Sequence, residues 1–481
     1  METSEKYNTY VLALDLVEDG SDIEIKDIKK NQLPPNITSK MLYSDIVKIA
    51  WPSVVELTLT QLASMVDLMM VGSLGAWAIT SVGLTVQPKF LLMVIFLALN
   101  VGTTAMVARY RGAGNQEKAN LILRQALMLS LIFSVITSIL GYLFAEKLIL
   151  FMGAAEEKTL QGGTIYLKIQ MIGLTFMALT STITAGLRGV GNSRTAMIYN
   201  LTANLVNVFL NYLLIEGHFG FPRWEVAGAS LATIIGQFVA FVFALVYIMK
   251  GDQYLHLHLK DGFKPEPHSL KQIITIGAPA MMEQLLMRTG VIIYSKTIAG
   301  LGTVAYAVHQ ICMNMQALSF MNGQGFAVSA TSLTGQSLGK NRPDLAHAYV
   351  HRTRRLGMFV SIILGTIFIF WGGNIVSLYN DSPDLVSQGA RIMMFVGFTQ
   401  PLQSSQFILS GSLRGAGDTR SIAVITFVTV LLIRPLLAIY LINVWHMGLE
   451  GAWFAFIVDQ IIRSALVLIR YNSGKWKNIK V

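Results

Sequence analysis

The sequence predicts an all-α polytopic membrane protein, with twelve transmembrane helices in two duplicated six-helix lobes of the same orientation around a central cavity. Three observations carry this expectation. The chain is 53% hydrophobic and only 13% charged, with a mean hydropathy of +0.54, whereas a soluble domain carries about a quarter charged residues. Apolar runs of about 20 residues, enough to cross the bilayer core, recur along its whole length. The chain also repeats itself. Gly186-Leu187-Arg188-Gly189-Val190-Gly191-Asn192-Ser193-Arg194 returns as Gly411-Ser412-Leu413-Arg414-Gly415-Ala416-Gly417-Asp418-Thr419-Arg420. Arg188 is thus followed by Arg414 after 226 residues, and Pro52, Glu56, Gly75 and Ala119 return after 227 as Pro279, Glu283, Gly302 and Ala346.

Hydropathy and its breaks place the first six spans near 46–71, 82–108, 121–145, 163–187, 195–216 and 227–249. The second six lie near 273–298, 305–334, 356–378, 389–413, 421–443 and 449–470. Basic residues sort onto alternate connections. One side holds Arg109, Arg111, Lys118, Arg124, Arg188, Arg194, Lys250, Lys260, Lys264, Lys271 and their second-half counterparts, with the tail Arg470, Lys475, Lys477 and Lys480. The other side holds only Lys147, Lys158, Arg223 and Arg391. The positive-inside rule then places both termini in the cytoplasm, in a multi-pass protein of the cell membrane.

Six spans per half is an even number, so both halves share one orientation and are related by an axis along the membrane normal. Residues 1–45 are polar and mixed in charge and are expected to form a cytosolic extension. Lobes are expected at 46–249 and 273–470, joined by a cytosolic linker at 250–272 that carries Pro265 and Pro267, with a tail at 471–481. The net charge of +10 follows topology rather than a nucleic-acid surface. A single cysteine, Cys312, excludes a disulfide framework and a Cys-based metal cluster.

A charge inside the bilayer costs roughly 2.5–3.5 kcal/mol on insertion scales and is by default a functional candidate. The first span holds Glu56 and Asp67. Eleven residues separate them, which returns to within about 20° of the same helix face, roughly 16 Å further along the axis. Glu283 repeats Glu56. Two such carboxylates facing a shared cleft would make a lining suited to cations or to protonation, whereas salt bridges to neighbours such as Arg288 or Lys296 would make them structural.

The fifth span carries Asn200, Asn204, Asn207 and Asn211, spaced to share one helix stripe. Such amides glue helices together, and their carbonyl oxygens can also coordinate a hard cation. The second half has no such stripe, which favours an ion or proton site at Asp67, Asn204, Asn207 and Asn211 in the first half alone. Gln400 and Gln403 flank Pro401 and either line the cavity with Glu56 and Glu283 or satisfy backbone freed by the kink. Arg434 with Pro435, and Asp459 with Arg463 at i, i+4, read as structural. The Leu-Arg-Gly turns follow no strand and fail as phosphate loops. They read as tight turns whose arginines anchor at anionic headgroups.

At this point the chain resembles the multidrug and toxic compound extrusion (MATE) family across residues 42–470. The resemblance rests on Val66-Asp67 with Val71-Gly72 and on both Leu-Arg-Gly turns. It rests also on Asn207-Val208-Phe209-Leu210-Asn211-Tyr212 leading into Gly228-Ala229-Ser230-Leu231-Ala232-Thr233, and on Ala307-Val308-His309-Gln310. It implies two lobes around a cavity and export of organic cations or drugs by antiport with H⁺ or Na⁺, without a cofactor and as a monomer. It also implies Asp67 as the ion-coupling carboxylate. A fifth-span Asn-x-x-x-Asp of one branch corresponds to Asn207 and Asn211, so the second carboxylate is missing here. Acidic positions of other branches in the seventh and tenth spans correspond to Met287 and Gln403. The competing function is a flippase for lipid-linked oligosaccharides or lipids, which would want a basic lining such as Arg288, Lys296 and Arg434. No nucleophile-base set or metal-ligand spacing marks an enzyme.

Overall fold

The computed structural model describes residues 37–154, 156–251, 253–258, 262–379 and 382–479. The expected extension falls mostly outside the described residues, as does Lys260. Among the described residues there is no β-strand, and thirteen α-helices follow one another. They are α1 (Ser39–Gly72), α2 (Ala76–Gly112), α3 (Gln116–Leu143), the short α4 (Ala145–Phe151), α5 (Glu157–Gly189), α6 (Ser193–Leu214) and α7 (Glu225–Met249). The second half adds α8 (Pro267–Ala299), α9 (Thr303–Gly339), α10 (Pro343–Ser377), α11 (Pro383–Gly415), α12 (Thr419–Asn443) and α13 (Gly448–Asn472).

Without α4, twelve long helices remain, one for each expected span. Eight of the described helices are long and apolar enough to cross a membrane on composition alone. The other four long ones, α6, α8, α9 and α11, are those that carry the asparagine stripe, Glu283, and runs of Ser, Asn and Gln. Runs of neutral polar residues thus gather in helices that depend on their neighbours to span a bilayer, whereas Glu56, Asp67 and Asp459 lie in helices apolar enough to cross on composition alone.

The chain divides into two compact units, and the division does not fall at the linker. Val55–Gly277 belongs to the first unit, while the described residues up to Val54 join Ala278 onwards in the second. This differs from the expected boundaries at 46 and 273, and the packing explains why. In the second unit, Leu42, Ile46 and Ile49 of α1 are buried with Phe326, Leu333 and Tyr349, and Tyr349 donates to Asp45 at 2.8 Å. In the first unit, the opening turns of α8 lie so close to α2 that a Cβ on Gly102 would stand 2.5 Å from the carbonyl oxygen of Ile273. The repeat of that contact is Ser329 donating to the carbonyl of Ile46 at 3.5 Å. Helix α1 already begins at Ser39, so the extension is shorter than the 45 residues expected. The linker is docked rather than loose: Asn120 accepts from His256 N at 2.9 Å, and Gln125 donates to Lys264 O at 2.8 Å.

Within each unit the same helices pair. In the first, α5 packs against α2, α3 and α7, and α6 against α7; in the second, α11 packs against α9, α10 and α13, and α12 against α13. The Leu-Arg-Gly turns show how a short motif fixes this arrangement twice. Gly189 and Gly415 end their helices where the neighbouring helix comes closest: an added Cβ would lie 3.0 Å from Thr104 O and 2.2 Å from Thr331 O respectively. Thr104 and Thr331 tie the same crossings by donating to Ala185 O at 3.0 Å and Gly411 O at 2.9 Å. The following Gly191 and Gly417 take φ of 87° and 88°, the left-handed conformation that glycine adopts without strain. Asn192 then caps α6 by accepting from Thr195 N at 3.2 Å. Gly415→Ala is therefore expected to lower the melting temperature more than Gly189→Ala, with overpacking costing about 1–3 kcal/mol, as measured by thermal unfolding in detergent.

Candidate functional site

Helices α1 and α6 run side by side in the first unit, joined by rungs of constant spacing. Asn200 Nδ2 donates to Glu56 at 2.6 Å, Asn204 Nδ2 to Thr60 at 2.9 Å and Asn211 Nδ2 to Asp67 at 2.7 Å. Each pair is 144 residues apart, so the helices are parallel and in register. The asparagine stripe therefore ties α6 to α1. Its lower members glue α6 to α1, and its last turns gather around a carboxylate.

That carboxylate is Asp67, which is half-buried. Asn207 lies between Asp67 and Thr233; with its amide nitrogen assigned to the Asp67 side, as the surrounding acceptors require, it donates to both Asp67 oxygens at 2.9 and 3.0 Å and its carbonyl accepts from Thr233 N at 3.1 Å. Asn211 Oδ1 is buried with no hydrogen-bond partner. Tyr166 on α5 reaches the same cluster through Thr233 on α7. Of the four residues expected together, the structure joins Asp67, Asn207 and Asn211. Asn204 is the correction: it faces Thr60, a turn and more before Asp67, and takes no part in the cluster.

Glu56 and Glu283, expected as open cavity lining, are instead held in duplicated ion pairs. Arg188 meets Glu56 at 2.9 Å and Arg414 meets Glu283 at 2.5 Å, with Glu56 4% and Glu283 2% exposed. Burial at this depth requires a charged partner, and the partners come from the Leu-Arg-Gly turns. Those arginines point into the protein rather than out to headgroups, and neither Arg288 nor Lys296 takes the role. Gln400 is also a correction: it accepts from Ser319 Oγ and donates to Val396 O at 3.3 Å, locking α11 to α9. Gln403 is buried beside it with Oε1 unpartnered.

Lys89 was absent from the expected set. It lies in the second span directly after Pro88 and donates to Gln170 Oε1 at 2.7 Å, and Gln170 in turn donates to Ser230 Oγ at 3.1 Å. The rule that flagged Asp67, a charge inside an apolar span, was sufficient to find it. Tyr166, Gln170 and Ser230 carried no comparable signal, because neutral polar residues are common in transmembrane helices.

In the second unit, the residue 227 after Asp67 is Tyr294, buried and donating to Ala452 O at 2.9 Å. Around it lies a closed charge cluster. Asp459 accepts from Arg434 Nε at 3.0 Å and from Arg463 Nη2 at 2.9 Å, and the Arg434 guanidinium stands 4.9 Å from the Phe456 ring and 5.7 Å from Tyr294. Arg434 is placed by a π-helical turn, Phe427–Ile433. Pro435 cannot donate to the carbonyl four residues back and would collide with it, and the widened turn relieves that collision.

Comparisons with known proteins agree with this arrangement. The MatE family profile matches residues 52–213 and again 279–440, the two copies of the repeat. A protein of Thermotoga maritima named probable multidrug resistance protein NorM is 29% identical over 449 residues, covering 93% of this chain and 96% of its own length. The multidrug resistance protein MdtK of Yersinia pestis is 26% identical over 431 residues, covering 88% and 94%. Among solved structures, an outward-facing multidrug resistance MATE family transporter of the MOP superfamily superposes with a TM-score of 0.84 at 21% identity, covering 90% of this chain and 97% of that one. A MOP superfamily transporter from Pyrococcus furiosus gives 0.83 at 21% identity, with coverage of 90% and 95%. A twelve-helix layout built from two copies of one unit, each copy matched by the same profile, makes this chain a member of the MatE family of multi-pass membrane transporters.

Proposed function

We propose that the protein exports organic cations or drugs in exchange for H⁺ or Na⁺, with Asp67 as the carboxylate whose occupancy drives alternating access and with both termini in the cytoplasm. One observation carries the reading. The carboxylates Glu56, Glu283 and Asp459 are each locked to arginine, whereas Asp67 is held by the neutral amides of Asn207 and Asn211. A carboxylate neutralised by an arginine has little use for another cation; one held by amides can gain and lose a proton or a small cation as its surroundings change. Such exchange moves the transporter only if the two conformations differ in affinity for the ion, and the α1–α6 rungs give Asp67 a direct mechanical connection to both helices. The multidrug names of the relatives from Thermotoga and Yersinia support the substrate class. The test is export of a cationic dye from reconstituted vesicles under a proton gradient and a sodium gradient imposed separately. Export that follows one gradient is expected; export indifferent to both would remove the antiport reading.

A further inference from the structure

The ladder between α1 and α6 has a further rung beyond Asp67. Ser73 lies six residues after Asp67, roughly 9 Å further along the axis, and its Oγ donates to Glu216 Oε1 at 2.7 Å. The two are 143 residues apart, so the register of the inner rungs continues. The polarity is reversed: asparagines of α6 donate in the inner rungs, whereas here the acceptor is a carboxylate just past the end of α6. Glu216 Oε2 stands 3.7 Å from His218 Nε2, with the two side chains 48% and 35% exposed, so water reaches both. The His218 ring stacks on Tyr212, centroids 4.1 Å apart at 12°, and its Nδ1 lies 2.8 Å from Tyr212 O. A carbonyl only accepts, so Nδ1 carries a hydrogen and, in the neutral ring, Nε2 is a lone pair. That lone pair faces Oε2, a second acceptor. One proton on either atom turns two opposed acceptors into a donor and an acceptor. The Ser73 end suits the same change. Its hydroxyl reaches both Glu216 Oε1 and Met70 O, the latter at 2.8 Å, and has one hydrogen to give. With Glu216 ionised, Ser73 donates to the carboxylate; with Glu216 protonated, Ser73 accepts from the acid and donates to Met70 O.

We propose that Glu216 and His218 form a proton-loading site at the extracellular mouth of the α1–α6 ladder: they hold one proton between them, one rung outside Asp67, and raise the proton concentration that Asp67 meets. The inference rests on the antiport and topology proposed above, with the proton as the ion exchanged. Neighbouring charges leave the pair to itself. Arg223 of the same loop meets Glu225 at 3.6 Å, Lys158 of α5 lies over the Trp77 ring at 4.1 Å, and Tyr212 of α6 contributes its carbonyl and its ring. In the second unit Gly300, Asn443 and Trp445 stand 227 residues after Ser73, Glu216 and His218, as Tyr294 stands for Asp67. Loading site and coupling carboxylate are thus present in the same copy and absent from the same copy.

The experiment is cationic-dye export by the full chain in vesicles, with the proton concentration varied on the face that bears the α6–α7 loop. Glu216→Gln is expected to need about two- to twentyfold more protons for its half-maximal rate, the range that a unit charge roughly 9 Å from Asp67 produces between bulk-water and near-surface dielectric. His218→Phe, which keeps a ring on Tyr212, is expected to shift the half-maximal point in the same direction, and adding it to Glu216→Gln to shift it no further. A half-maximal point that stays in place in variants melting at the wild-type temperature would overturn the proposal. So would a fall in maximal rate with no such shift, the mark of a merely structural rung. The two readings separate in the same vesicles. Export driven by neither a proton nor a sodium gradient defeats the antiport reading, while export driven by sodium alone defeats the loading site and leaves the antiport reading standing.

Discussion

Asp67→Asn is expected to abolish gradient-driven dye export, lowering its initial rate by about a hundredfold or more to the level of empty vesicles, while the protein still folds and still binds dye. The size of the effect follows from chemistry rather than packing. Asparagine has the volume of aspartate and its carbonyl can still accept from Asn211, so the local hydrogen bonding changes by about 1 kcal/mol. What disappears is the ability to hold a proton or a cation and release it. A group that no longer changes state gives the ion no differential affinity for the two conformations, and a ligand without differential affinity shifts nothing. The informative contrast is Asn204→Ala. It removes a hydrogen bond to Thr60 from the same helix stripe and is expected to leave the rate within about threefold of wild type, a net cost of about 1 kcal/mol falling on stability instead. Equal losses in the two variants would mean that the stripe matters as glue and not as an ion site.

Spans and repeat were legible because they depend on quantities written locally: hydropathy over a window, and identity at a fixed offset. The cluster at Asp67 was legible in part. Helical periodicity puts Asn207 and Asn211 on one face, and rarity of charge singles out Asp67. Periodicity cannot say which neighbouring helix a face meets, which is why Asn204 was grouped with the wrong partner. The same gap hid the pairs Glu56–Arg188 and Glu283–Arg414. Each arginine lies in a turn more than a hundred residues from its acid, and the duplication that pointed to both acids had also duplicated their arginines. The exchange of the opening turns of α1 and α8 between units was hidden too, since nothing in a helical stretch records that its two ends pack in different cores. Lys89 was a different kind of omission. Its signal, a charge inside an apolar span, is present in the sequence.

The second unit tests whether the position equivalent to the Asp67 cluster in the repeat is a motor or a strut. Asp459→Asn leaves the guanidiniums of Arg434 and Arg463 buried against each other without an anion, and breaking a buried pair in this way costs about 3–5 kcal/mol. A large fall in melting temperature is expected. Arg434→Met should cost less, because Asp459 keeps Arg463 at 2.9 Å and a methionine can fill the space against Phe456 and Tyr294. The triple replacement of Arg434, Asp459 and Arg463 by apolar residues of similar volume should recover much of the loss, as apolar substitutes for buried ion clusters often do. If that recovered protein still exports dye under the gradient that drives the wild type, the Arg434–Asp459–Arg463 cluster is a strut. Its permanent guanidinium then sits in the copy where no ion needs to come and go. Recovery of stability without recovery of coupled export would instead make the second unit part of the motor. The division of roles between the copies, drawn from Asp67 against Tyr294, would then have to be given up.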